Sequence, residues 1–260
     1  MLLNPIEEHF LFTPQSIREI SLLAEELAIP PAALQAIAEV ESGGRIYADI
    51  GSRQEPLIRF EGHYFDRLLN GAQRQTARQR GLAHPKAGRI GNPRNQAKRW
   101  ALLNRAIRIN RIAALSSTSW GLGQVMGAHW QWLGYGSVDA LVAQARAGAA
   151  GQVRLMARYI DKAGLVPAIQ NRDWKAFARG YNGPAYARHA YDQRLKSAYQ
   201  RLSTMDGKQL EITCQRGEFA PTVKGLEPQG DRDKEPAGKT KTRLGAAIRA
   251  GLLFISKRIL

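Results

Sequence analysis

Glu41 stands in Ala-Glu-Val-Glu-Ser-Gly-Gly, residues 38–44, where a short apolar-periodic stretch meets two glycines. Leu34, Ile37 and Ala38 lie seven, four and three residues before it. Helical spacing therefore puts all four on one face and turns Glu39 away, beside Gln35. A carboxyl on the apolar face of a last helical turn is desolvated and sits at the negative end of the helix dipole; both effects raise its pKa. A carboxylic acid kept protonated near neutral pH is what cleavage of a glycosidic bond needs as its general acid. The plainer alternative is an exposed glutamate at a helix end, and these seven residues alone do not decide between the two.

Three further segments carry groups that suit a groove. Arg59-Phe60-Glu61-Gly62-His63 brings a second carboxylate. Ser119-Trp120-Gly121-Leu122-Gly123-Gln124-Val125-Met126 is a tight turn with a hydroxyl and an amide, and its alternative role is packing, because glycine lets backbone approach backbone. Arg179-Gly180-Tyr181-Asn182-Gly183-Pro184 ends one helix and opens another, and its alternative role is a cap and a turn. No His, Cys or acidic cluster has metal-site spacing, so neither a metal nor a cofactor is expected.

The elements that must position these groups are helical nearly throughout. Thr13-Pro14 opens a helix to about residue 28, and Pro30-Pro31 starts the helix that ends at Gly43-Gly44. Residues 45–60 are irregular, with Ile46-Tyr47 and Leu57-Ile58-Arg59-Phe60 as short strands. A helix is predicted from Gly62 to Leu69, a loop over 81–94 and a helix from Gln96 to Leu115. Ser116 to Gly123 reads as a turn. Helices follow at about 123–133, 137–147, 149–163 and 173–179, and a long one runs from Pro184 to about Leu202. There is no Rossmann or P-loop glycine pattern and no repeat.

The chain has 260 residues, a single cysteine, Cys214, and a formal charge of +16. One cysteine excludes an intramolecular disulfide and fits folding in a reducing cytoplasm. The first residues lack the basic region of a secretion signal, and no apolar run approaches the roughly 20 residues of a membrane span. Residues 67–111 hold twelve basic side chains and no acidic one, and residues 239–260 hold six and no acid, which points to a polyanionic partner or to a solvated basic surface. Residues 206–238, rich in glycine and proline, read as a flexible linker. Residues 239–260 regain helical periodicity, with Leu244, Ile248, Gly251, Ile255 and Ile259 on one face.

In order and spacing, Glu-Ser-Gly, Gly-Leu-Gly-Gln-Val-Met and Tyr-Asn-Gly-Pro resemble the lysozyme-like superfamily that includes goose-type lysozymes and soluble lytic transglycosylases. More closely, Arg-Phe-Glu-Gly-His-Tyr-Phe and Ser-Trp-Gly-Leu-Gly-Gln-Val-Met-Gly, followed by Leu-Gly-Tyr at 133–135, resemble the N-acetylmuramidase family of phage and prophage endolysins, over about 15–205. The resemblance implies a mainly α, lysozyme-like helical domain over 1–205 with at most a small β element, followed by the linker and the basic amphipathic C-terminal helix. It implies a peptidoglycan hydrolase that cleaves the β-1,4 bond between N-acetylmuramic acid and N-acetylglucosamine, with Glu41 as general acid.

Glu61 is the first choice for the second catalytic group, with Asp49 and Glu55 behind it and the substrate's own acetamido group as a further possibility. Gln124, Tyr181 and Asn182 match positions that bind sugar groups or orient the acid, Ser119 contributes to the same wall, and His63 is a structural hydrogen-bonder. Two alternatives stay open: a lytic transglycosylase forming 1,6-anhydromuramic ends, and a non-catalytic basic protein binding cell wall or nucleic acid. The expected partner is the glycan strand, with anionic membrane or lipopolysaccharide at the C-terminal helix unless that helix docks on the domain. No specific nucleic acid is expected, since zinc, RNA-recognition and homeodomain signatures are missing. The expected protein is a monomer, made in the host cytoplasm and acting on the wall, with no room for the separate wall-binding domain that members often carry before the catalytic one.

Overall fold

A computed structural model describes residues 12–43 and 45–215. They form eleven helices and two small antiparallel sheets, the mainly α arrangement expected. The helices are α1 (Pro14–Glu26), α2 (Pro31–Ser42), α3 (Gly62–Leu68), α4 (Gly71–Gln79), α5 (Gln96–Ile107), α6 (Arg111–Ser116), α7 (Val138–Arg146), α8 (Gly148–Lys162), α9 (Val166–Gln170), α10 (Trp174–Asn182) and α11 (Tyr191–Gln215). Strands β1 (Tyr47–Ile50) and β2 (Arg53–Pro56) make a hairpin, and β3 (Ile58–Phe60), β4 (Thr118–Trp120) and β5 (Val125–Met126) make the second sheet in that order.

Local chemistry sets most of the helix starts. Thr13 Oγ1 accepts from Ser16 N at 3.2 Å ahead of Pro14, and Asn95, Asn110, Ser137 and Asp173 cap α5, α6, α7 and α10 in the same way. Helix α2 packs between α1 and α11, and only Pro31 and Glu39 of its residues escape full burial. The four alanines at 32, 33, 36 and 38 give it a narrow girth that neighbours can approach from every side. The sequence pattern predicts one apolar face; the packing buries most of the circumference and leaves Pro31 and Glu39 partly exposed. Gly43 ends the helix at φ 56°, a left-handed conformation that glycine adopts without strain, and its N–H bonds to Glu39 O.

Several boundaries differ from the sequence expectation. The helix predicted over Gln96–Leu115 is two, because Asn110 has an extended backbone and its side chain caps α6. Helix α4 is unforeseen: it is polar and buries only Ala77 among its residues. The turn expected over 116–123 contains β4, and the helix expected over 123–133 is β5 followed by a single 3-10 turn at Gly127–His129. The long helix expected from Pro184 begins as a 3-10 segment, Pro184–His189, and breaks at Ala190 with φ 48° before α11 starts. Helix α11 continues to Gln215, past Met205 where the linker was expected to begin. The rest of that linker and the 239–260 helix lie outside the described residues.

Pairing with β4 satisfies one edge of β3. Side chains from the basic segment satisfy the other. Asn92 Oδ1 accepts from Phe60 N at 2.9 Å while its Nδ2 donates to Phe60 O at 2.7 Å. Gln96 Oε1 accepts from Ile58 N at 3.1 Å, and buried Arg99 donates to Ile58 O at 3.2 Å and to Pro93 O at 2.6 Å. An open sheet edge is thereby closed without another strand. Asn92→Ala leaves the Phe60 N–H and C=O without their partners and should cost about 1–3 kcal/mol by denaturant unfolding; a loss within about 0.5 kcal/mol, the scatter of neutral surface changes, would show that the edge does not depend on it.

Candidate active site

Glu41 lies in the last turn of α2 and is 2% exposed. Helix α2 has no basic residue in its own last turn, and α11 supplies the positive charge instead. Arg194 Nη2 donates to Val40 O at 3.3 Å, and Arg201 pairs with Glu39. Both guanidinium groups stand at the negative end of the α2 dipole, where cations are stabilising. Glu39 is therefore an outward residue with a structural partner, as its helical phase predicts.

The turn Gly121–Leu122–Gly123–Gln124 ties the sequence motifs together, and all four residues are buried. Gly121 N donates to Leu57 O at 2.9 Å, and Gln124 Nε2 donates to Gly121 O at 2.7 Å and to Leu57 O at 3.3 Å. Tyr181 OH donates to Gly123 O at 2.8 Å. Gln152, on α8 and 1% exposed, accepts from Leu122 N at 2.8 Å through Oε1 and donates to Ile46 O at 3.3 Å through Nε2. Ile46 follows α2, Leu57 precedes β3, and Tyr181 lies in the last turn of α10. The turn thus joins the segments that carry Glu41, Glu61 and Asn182. A Cβ on Gly123 would lie 2.8 Å from Met156 Cβ and 3.1 Å from the Tyr181 hydroxyl, which is why glycine stands there.

Glu61 precedes α3 at the end of β3 without a capping bond from its side chain, and its backbone N–H donates to Ser117 O at 2.8 Å. Arg59 Nε donates to its Oε1 at 2.6 Å, and His63 Nδ1 lies 3.5 Å from its Oε2. Burial lowers the His63 pKa, against an upward pull from Glu61 and with further downward pushes from Arg67 and Arg59. Of the other carboxylates considered, Glu55 receives two bonds from Arg146, at 2.7 and 3.1 Å, which tie β2 to α7. Asp49 is exposed on β1 and accepts from Gln54 at 3.5 Å.

The four residues expected to meet sugar occupy different settings. Ser119 is 3% exposed, pairs across the sheet with Arg59, and directs its hydroxyl to Met126 Sδ at 3.9 Å. Gln124 and Tyr181, at 2% and 1% exposed, hold backbone of the turn. Asn182 is different: its Oδ1 and Nδ2 are both buried and have no hydrogen-bond partner. A buried amide in that state marks a place where another polar group belongs.

Tyrosines from four helices influence one another electrostatically. Burial, then the neighbouring Tyr64 phenol, raises the Tyr159 pKa; burial, then Tyr159 and Tyr191, raises that of Tyr181. The rings of Tyr159 and Tyr181 meet edge to face at 5.4 Å, and His129 and Trp132 pack on Tyr159 at 5.8 and 5.7 Å. Tyr64 is on α3, Tyr159 on α8, Tyr181 on α10 and Tyr191 at the start of α11.

A profile of the N-acetylmuramidase family, Muramidase, matches residues 30–203. The chain belongs to the N-acetylmuramidase family. Among solved structures this muramidase is similar to an endolysin of Burkholderia AP3 phage, at 33% identity and a TM-score of 0.65, covering 72% of this chain and 71% of that one. No curated protein sequence matches it. As a muramidase it is a peptidoglycan-cleaving hydrolase that acts on the cell wall.

Two positioning residues of the muramidase escape sequence reasoning. Gln152 left a signal: Leu155, Met156 and Tyr159, at helical spacing from it, place it on the buried face of α8, where an amide must find partners. Arg194 left none, because its acceptor, Val40 O, is backbone from a remote helix.

Burial among aromatic rings pushes the His129 imidazole down to about 4. The unfolded chain, with a histidine near 6.5, binds that proton first. Stability should therefore fall as pH drops from about 6.5 to 4, by about 3 kcal/mol at most. Asp66, held below the usual carboxylate range by its bond with Arg78, adds its loss only at lower pH still. Denaturant unfolding at pH 7 and 4.5 should show this slope in the native protein and a smaller one in His129→Phe; parallel slopes would remove His129 as the source.

Proposed function

We propose that this muramidase hydrolyses the β-1,4 bond between N-acetylmuramic acid and N-acetylglucosamine, with Glu41 as the general acid. The observation that carries the reading is the setting of Glu41: a carboxyl 2% exposed, in the last turn of a largely buried helix, within a family of peptidoglycan-cleaving enzymes. Burial favours the neutral form of a carboxyl, the form that gives a proton to the glycosidic oxygen. Glu61 is the second group, placing water or stabilising the oxocarbenium-like transition state. Arg59 supports this role by fixing the carboxylate through a 2.6 Å bond.

Asn182 binds a sugar hydroxyl or acetamido group with its buried amide. Ser119, Gln124 and Tyr181 shape the same wall, Gln124 and Tyr181 by holding its backbone. Wall cleavage by an endolysin of this kind ends in lysis of the host cell. In this reading the protein is made in the host cytoplasm, works as a monomer, and uses the basic segment 239–260 to engage anionic lipid or lipopolysaccharide.

Glu41→Gln should abolish the release of reducing muramic acid ends from purified peptidoglycan while leaving the circular dichroism spectrum and Tm in place; appreciable turbidity clearance by the variant would refute the assignment. Mass spectrometry of the native enzyme's products should show reducing muramic acid, whereas 1,6-anhydro ends would make it a lytic transglycosylase. Glu61→Gln should lower kcat by at least ~10²-fold, and near-native kinetics would reduce Glu61 to a structural partner of Arg59.

A further inference from the structure

We propose that Lys86, Arg89, Arg94 and Lys98 form a docking surface for the carboxylates of peptidoglycan stem peptides. The inference rests on the muramidase reading. From Arg67 to Val138 the sequence holds no Asp or Glu. Several cations of this region serve the fold. Arg74 donates to Asp66 O at 2.9 Å, Arg78 pairs with the Asp66 carboxylate at 2.6 and 2.9 Å, Arg105 donates to Arg80 O at 2.8 Å, and Arg111 pairs with Asp139. Arg99 closes the β3 edge, and Arg67 lies over the Tyr64 ring at 4.8 Å. Lys86, Arg89, Arg94 and Lys98 are exposed, and among the described residues none of them is in an ion pair.

Their placement gives this charge a use. Asn92, Gln96 and Arg99, interleaved with the four cations, bind the outer edge of β3, which leads directly into Glu61. Ile90, next to Arg89, covers Gly62 so closely that a Cβ there would lie 2.5 Å from Ile90 Cγ1. The four cations therefore belong to a segment that is bonded along β3 and packed on Gly62, next in sequence to Glu61.

The glycan of peptidoglycan is uncharged where its muramic lactyl groups are amide-linked, and the negative charge sits on the carboxylates of the stems. Guanidinium groups match carboxylates in a fork, and a cluster of cations without acids attracts anions over roughly 8–10 Å at physiological salt. A phosphate backbone would be attracted too. A groove for single-stranded nucleic acid, however, interleaves its cations with aromatic rings for base stacking, and residues 81–98 contain no Phe, Tyr or Trp; duplex DNA is left to the test.

The test is co-sedimentation of Glu41→Gln protein, which leaves the polymer intact, with sacculi freed of teichoic acid. The sacculi are used as prepared and after their carboxylates have been coupled to neutral amides. The protein is assayed with and without Lys86→Gln, Arg89→Gln, Arg94→Gln and Lys98→Gln combined, and with the two halves of that set separately. Native sacculi should bind the four-fold variant about tenfold more weakly at low salt. Amidated sacculi should bind both proteins alike, and added salt should erase the difference. Undiminished binding of the variant, or an equal loss on both kinds of sacculi, would overturn the proposal, as would tighter retention on duplex DNA than on native sacculi. The amidation arm needs no substitution in the basic surface, so it stands even if the combined variant misfolds. Failure of the muramidase reading would appear separately, as the unsubstituted enzyme releasing no reducing muramic acid ends.

Discussion

The backbone of Gly121–Gln124 turns where no solvent reaches it, so its polar groups must find partners inside the protein. Gln152 takes the Leu122 N–H, Tyr181 takes the Gly123 C=O, and Leu57 O receives both the Gly121 N–H and the Gln124 amide. Each partner arrives from a different part of the chain. Satisfying one turn therefore fixes the exit from α2, the start of β3 and the end of α10 relative to each other. A site assembled from remote segments needs such a constraint, because catalytic groups lose effectiveness when they stray by about an ångström.

Charge is arranged around this frame with the same economy. Helix α2 carries its glutamate at a negative dipole end and no cation of its own, and α11 brings Arg194 and Arg201 to that end. Arg59 and His63 flank Glu61, while Arg146 occupies Glu55. Of the carboxylates on the hairpin after α2, Glu55 is thus committed to holding β2 on α7, and Asp49 stays exposed on β1. The basic segment, which by composition alone could be a remote tail-like patch, is part of this architecture: its polar residues act as the missing neighbour of β3.

Helix α2, its glycine stop and the outward phase of Glu39 are legible in sequence because they are local: periodicity, a proline start and a left-handed glycine need no knowledge of distant contacts. The caps at Thr13 and Ser137 are legible for the same reason. Strand β4 and the short β5 are not. Residues 118–126 look like a turn followed by a helix, and only β3, nearly sixty residues away in the chain, makes them a sheet. Helix α4 was missed because it buries so little that it leaves almost no apolar period.

The sequence by itself determined the kind of domain, its family motifs and the inward helical phase of Glu41, since each is encoded by neighbours within a few turns of chain. Tertiary structure decided what the remaining polar residues do. Gln124 and Tyr181 carry polar side chains that suit a sugar as well as a peptide bond, and burial against Gly121, Gly123 and Leu57 directs them to backbone. Asn182, one residue further along, is buried with its amide unmatched. The difference between these roles lies in which groups the fold brings within about 3 Å, the reach of a hydrogen bond, and that distance is set by packing between segments rather than by any one of them.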